Sequence, residues 1–437
     1  MSDFKEFRKY VFPNMLSMLG SSCYVLVDTL FITRIGDYAL AALNICLPIY
    51  SICIGLGSFL AVGASTHYSI LKAQNKEKEG SKYFTFAVLT ALVTSVLIAL
   101  IVMLNKRSVA YLLGANEETI EMCVQYFNAY VTLSPFITLQ YIVLSFIRND
   151  GDPKLAGYAA LAGSLFNLFS DYFFIFTLNL GMFGAALATG LAPVVSLLIA
   201  STYFFRKKNQ FHLVRDSFTL EVMKNITSLG FPTLINSFSS SVTMLAFNKQ
   251  LLAIGGNMAV TAYGIIVNIS VVIQYIMSGV AEGTQPLFSS NYGSGEHSRI
   301  RTFYRFAIVT SLLIATTGMA VDLLFGSAII SIFNGSGSAE LLAITKNGMF
   351  IYFIGLFAHG ITTLLMIYFT SVDHPMPSNV LSILKAGVII TPMVLILPKF
   401  LGLNGVWISY PASEFLIAAV GLYFAQKSPY LKKISCQ

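Results

Sequence analysis

VFPNMLSMLGSSCYVLVDTLFI, residues 11–32, and LAGSLFNLFSDYFFIFTL, residues 161–178, decide how this chain is read. Each is apolar and long enough to cross a bilayer, and each holds one carboxylate deep inside it: Asp28 in the first, Asp171 in the second. A charged side chain at membrane depth costs about 3 kcal/mol on insertion scales and more by simulation, so its presence calls for a function. The usual function is an ion or proton site facing the interior of a helix bundle. The pair points to a transporter with its coupling chemistry at these two acids.

The rest of the chain fits that class. Hydrophobic residues make up 56% of 437 positions and charged residues 11%, against about a quarter charged in a soluble domain. The single Trp leaves any interfacial aromatic belt to Tyr and Phe. Five cysteines (Cys23, Cys46, Cys53, Cys123, Cys436) form no CxxC and sit mostly in apolar runs, so they read as small hydrophobes. The start, MSDFKEFRKY, is short and charged, and the apolar run after it is too long for a cleaved signal. No basic, aromatic-interleaved patch suggests nucleic acid.

Apolar stretches fall near 9–33, 40–70, 84–104, 123–147, 156–178, 184–205, 227–254, 259–289, 303–325, 347–371, 379–398 and 405–425. Twelve transmembrane helices place both termini on one side. With that side cytoplasmic, its loops and termini hold 20 Lys and Arg; the other side holds six (Arg34, Lys106, Arg107, Lys249, Lys346, Lys399), and Lys385 falls inside a span. This asymmetry predicts cytoplasmic termini and accounts for the net charge of +7.

The two halves repeat. Phe12-Pro13 recurs as Phe231-Pro232 at an offset of 219, and LGMFGAALAT from Leu180 recurs as LGLNGVWISY from Leu401 at an offset of 221. Six spans, an even number, separate the copies, so the repeat is parallel. The expected domains are an N-terminal lobe over 1–205, a cytoplasmic linker over 206–226 and a C-terminal lobe over 227–437, with alternating access by rocking of one six-helix lobe against the other. The acids break the symmetry: at these offsets Asp28 meets Phe247 and Asp171 meets Pro392.

Asn167 and Asp171 are four residues apart and share one helical face, with Ser164 a turn further along it. Asp28 and Asp171 both lie roughly 10 Å below the outer surface at 1.5 Å per residue, so they could face each other at one depth. Tyr24 precedes Asp28 by a turn, and Thr189 starts near the same outer end on the sixth span. Carboxylates, an amide oxygen and hydroxyls are hard oxygen ligands that suit Na⁺ or a shared proton and lack the nitrogen or sulfur of a transition-metal site. Adjacent negative charges also resist joint ionisation.

At this point the chain resembles a known family. PNMLSMLGSSCYVLVDTLFITRIGDYALAALNICLP, RNDGDPKLA, FNLFSDYFFIF, GMFGAALAT, EGTQPLFSSNYGSGE and GLNGVWISYPASE match, in order and spacing, the multidrug and toxic compound extrusion (MATE) family, in its DinF-like bacterial branch. The resemblance implies a cation-coupled (Na⁺ or H⁺) multidrug antiporter with no cofactor. It would export amphipathic, cationic compounds and work as a monomer in the bacterial inner membrane among lipids. It assigns the ion site, and any Na⁺, to Asp28, Asn167, Asp171 and Thr189, with Tyr24 and Ser164 as cavity neighbours and Pro13 as the point where the first span bends. Another branch places acids on its seventh and tenth spans; here these offer Asn236, Asn248, Lys249 and His359 but no carboxylate.

Glu282 and Glu414 are the remaining acids read as lying well inside apolar runs, each weighed as cavity-lining. Glu282 could instead snorkel at a cytoplasmic helix end, and Glu414 could form an inter-helix hydrogen bond. His359, alone on an apolar helix, reads first as a packing histidine and second as a proton relay. An alternative within the same superfamily, a flippase for lipid-linked saccharides, would need a cationic cavity, for which only Lys249 and Lys385 are available. An intramembrane enzyme would need a metal or nucleophile motif, and none is present.

Overall fold

The apolar runs form helices because a backbone in hydrocarbon must satisfy every N–H and C=O within its own segment. In the computed structural model, which describes residues 2–32, 34–35, 38–215, 217–333 and 338–431, the described residues contain helices and no strand. In chain order these are α1 (Asp3–Ile32), α2 (Ala39–Ala73), α3 (Glu77–Leu104), α4 (Lys106–Leu112), α5 (Ile120–Asp150), α6 (Pro153–Tyr172) and α7 (Gly181–Phe205). They continue with α8 (Leu220–Gly293), α9 (His297–Phe333), α10 (Ala339–Ser371), α11 (Pro375–Ile383), α12 (Ile390–Ile396) and α13 (Pro398–Lys427). Wide π-turns at Phe173–Thr177 and Leu384–Val388 extend α6 and α11.

The expected spans map onto these helices with two adjustments. Spans seven and eight run together in α8, but Gly256 takes φ +61° and turns the chain between them. α4 is an added short helix after the third span. Boundaries follow local chemistry: Gly151 at φ +114° ends α5, and Asp152 caps α6 by accepting from the Leu155 N–H at 3.2 Å, with Pro153 at the first turn.

The repeat is visible in the backbone. Gly181 and Gly402, 221 positions apart, take φ +54° and +56° at the entry to corresponding spans, a conformation that glycine adopts without a Cβ penalty. Phe247, the counterpart of Asp28, is fully buried and stacks on Tyr263 at 4.8 Å.

The chain divides into two compact units, Leu16–Ser237 (the first unit) and Met1–Met15 with Phe238–Gln437 (the second). These differ from the expected edges at 205 and 227. The start of α1 joins the second unit because Arg299 forms ion pairs with Asp3 and Glu6, and Phe7 packs on Phe306 at 5.6 Å. Residues 206–237 join the first unit. Phe211 is fully buried among Tyr68, Phe84, Phe146 and Tyr203, and the Gln210 N–H donates to Asp150 Oδ2 at 2.9 Å. The basic segment is thus held on the first unit and is not a free linker.

Candidate functional site

The site starts with how α1 lies against α6. Gly20 faces α6 so closely that a Cβ there would sit 2.6 Å from Leu161 Cδ1. One residue on, Ser21 Oγ lies 3.3 Å from Ser164 Oγ. Two turns toward the other end of both helices, the side chains of Asp28 and Asp171 come within hydrogen-bonding range of each other. Beyond them Phe31 packs edge-on against Phe176 at 5.4 Å. The two helices run parallel in register, so residues that are remote in sequence meet at one depth, as the sequence suggests.

The four expected ligands are brought together. Asp171 is fully buried and Asn167 is 1% exposed. With its amide turned to satisfy both ends, Asn167 Nδ2 donates to Asp171 Oδ2 and Asn167 Oδ1 accepts from the Thr189 N–H, each at 3.2 Å. Asn167 therefore links α6 to α7 and orients the carboxylate. The Thr189 hydroxyl donates to the Ala185 carbonyl at 3.1 Å, so Thr189 meets Asn167 through its backbone. Asp28 Oδ1 and Asp171 Oδ1 accept no hydrogen bond among the described residues. Buried carboxylate oxygens left this way favour a proton or a small cation between them.

A row of tyrosines from three helices leads to the acids, and of these the sequence analysis names only Tyr24. The Tyr24 hydroxyl lies 3.4 Å from that of Tyr50 on α2, Tyr50 packs on Tyr130 at 5.4 Å, and Tyr130 stacks on Tyr126 at 5.6 Å. Tyr126 is near enough to interact electrostatically with both Asp28 and Asp171. These tyrosines sit in three separate helices with no shared motif, so only their packing reveals them. The π-turn begins two residues after Asp171, and such widened turns recur at functional sites.

The other expected cavity residues lie in the second unit. Glu282 is half-buried on α8. His359 is not alone: its Nδ1 lies 3.2 Å from Glu414 Oε1, Lys385 Nζ and the Tyr410 hydroxyl. Lys385 Nζ in turn lies 2.9 Å from Glu414 Oε1. Three charge-bearing side chains from α10, the second π-turn and α13 thus converge, which the spacing of single residues along an apolar helix could not show. Lys385 is matched by Glu414.

The MatE family model matches residues 13–173 and 232–396, one stretch in each half of the repeat. The multidrug export protein MepA of Staphylococcus saprophyticus is 28% identical over 426 residues, covering 96% of this chain and 93% of that protein. MepA of a bovine strain of Staphylococcus aureus is 26% identical over 425 residues, covering 96% and 92%. Among solved structures, an outward-facing multidrug resistance MATE family transporter of the MOP superfamily superposes with a TM-score of 0.91 at 24% identity, covering 97% and 95%. The Vibrio cholerae MATE transporter VcmN superposes at 0.90 with 20% identity, covering 98% of each chain. With the family model matched in both halves and the fold shared along nearly the whole chain, this protein belongs to the MatE family of multi-pass membrane transporters.

Proposed function

We propose that this chain is a multidrug antiporter of the bacterial inner membrane, driven by Na⁺ or H⁺ and exporting amphipathic organic cations by alternating access. The observation that carries the reading is the Asp28–Asp171 pair, half-buried and fully buried, with a buried, unpartnered Oδ1 on each. Two facing carboxylates repel one another and attract any cation that enters. A proton, a Na⁺ ion and an organic ammonium therefore compete for one electrostatic site. Asn167 keeps Asp171 aimed at that site through the 3.2 Å hydrogen bond.

In this mechanism the coupling ion arrives from outside, offsets part of the pair's negative charge and weakens its hold on the bound drug. The drug leaves, the transporter turns inward, the ion dissociates and a new drug binds. Pro13 is the proposed bend point of the first span. It lies just before Met15, where α1 passes from one compact unit to the other, and its missing N–H removes a hydrogen bond from the helix interior. The excess of Lys and Arg on one set of loops supports cytoplasmic termini.

The test is uptake of ethidium into inverted membrane vesicles under an imposed Na⁺ gradient or an imposed pH gradient. Wild-type protein is compared with Asp28→Asn and Asp171→Asn at matched membrane levels. Uptake driven by one gradient and lost in both variants is the expected result and names the ion. Undiminished gradient-driven uptake in both variants overturns the reading.

A further inference from the structure

The second unit contains a cavity that the acids of α1 and α6 do not touch. It has a volume of about 470 Å³ and lies among α8, α9 and α10, walled by Ile269, Ile273 and Ile276 of α8, Ile314 of α9, and Met349 and Phe353 of α10. Its lining holds one charged residue, Asp322. The sequence reading passed over this acid because it stands at the end of an apolar run, yet Asp322 is only 5% exposed. No described residue forms an ion pair or hydrogen bond with it, and Lys346 acts on it only through longer-range attraction. Gly326, one turn on, leaves room for the carboxylate: a Cβ there would lie 2.6 Å from Asp322 Oδ1.

We propose that this cavity binds one amphipathic organic cation, its apolar body against the isoleucines and Phe353 and its charge at Asp322. The volume lies within the usual range for small-molecule sites. A buried carboxylate with no partner is costly, and an organic ammonium or phosphonium removes that cost while filling the apolar walls. A lipid acyl chain fills the walls but leaves the carboxylate unmatched. A zwitterionic lipid headgroup adds a phosphate, for which the lining has no Lys, Arg or His. A bare metal ion needs several oxygens, and the lining offers one carboxylate and two threonine hydroxyls. Leu313 and Val321 in the lining are 61% and 41% exposed. In a bilayer such apolar side chains meet acyl chains, so a cation dissolved in the membrane has a direct route to the site. The site needs neither Asp28 nor Asp171.

Equilibrium binding of radiolabelled tetraphenylphosphonium to the purified full-length protein tests it. An Asp28→Asn/Asp171→Asn background removes the acid pair of α1 and α6, and the difference between wild type and this background reports on the proposed coupling site separately. In the background, one saturable site per chain is expected to remain. Asp322→Asn weakens that site by about tenfold, the factor for roughly 1.4 kcal/mol, and Asp322→Glu retains it. Gly318→Phe abolishes it by volume alone, because even a Cβ at Gly318 would lie 2.6 Å from Ile273 Cδ1. Three outcomes overturn the proposal: no residual saturable site, residual binding unchanged by both Asp322→Asn and Gly318→Phe, or a residual site that added phosphatidylethanolamine displaces.

Discussion

Lys385 Nζ sits 2.9 Å from Glu414 Oε1 inside the apolar second unit, with the Glu414 side chain 4% exposed. Removing one partner of a buried ion pair strands the other charge, which costs about 3–5 kcal/mol, whereas replacing both with apolar side chains is often neutral. Glu414→Gln is therefore expected to lower the thermal unfolding temperature in detergent markedly, and Lys385→Met/Glu414→Leu to recover much of the loss. A double variant less stable than either single one would contradict this account of the pair.

Asn167 holds Asp171 and the Thr189 backbone together. Asn167→Leu keeps the branched outline, at a larger volume, but removes both hydrogen bonds, each worth about 1–3 kcal/mol when a buried partner is left unsatisfied. Gradient-driven ethidium uptake should fall at least as far as in Asp171→Asn, with the protein still inserted. Uptake at the wild-type level would show that the carboxylate needs no orientation.

Helix approach at Gly20 sets the distance between the two acids. Gly20→Ala crowds the flexible end of Leu161 and otherwise makes ordinary contact with Ser164, so it should retain transport, while Gly20→Leu should push α1 off α6 and abolish it. Cysteine cross-linking of positions 21 and 164, where the serine hydroxyls lie 3.3 Å apart, should be efficient in the Gly20→Ala background and lost with Gly20→Leu. Equal cross-linking in both would remove Gly20 from the argument.

Asp150 ties the segment after α7 to the first unit. It accepts from Tyr68 at 2.5 Å, Lys72 at 2.5 Å, Tyr203 at 2.8 Å and the Gln210 N–H at 2.9 Å. Asp150→Asn weakens charge-assisted bonds worth about 1.5–3 kcal/mol each, so limited proteolysis near residues 206–215 should accelerate. Phe211→Ala should act in the same direction by emptying the aromatic cluster, at about 3–5 kcal/mol. Unchanged cleavage in both variants would mean that the segment is held by other contacts.

Much of this molecule follows from the sequence by itself. The apolar runs dictate helices, since hydrocarbon offers no other partner for the backbone. The offsets of 219 and 221 reveal the repeat, and a spacing of four places Asn167 and Asp171 on one face. These are local properties, governed by hydropathy and by 3.6 residues per turn. Tertiary packing decided that the depth shared by Asp28 and Asp171 becomes a contact, that Tyr126 lies beside them in a row with Tyr130 and Tyr50, and that His359, Lys385 and Glu414 form one cluster. It also decided that the compact units break at Met15 and Ser237 instead of at the basic segment. The periodicity of a helix states which of its own residues share a face. Which helices approach one another depends on the summed fit of many small contacts, on where a missing Cβ admits a neighbour, and on which buried charge finds its partner.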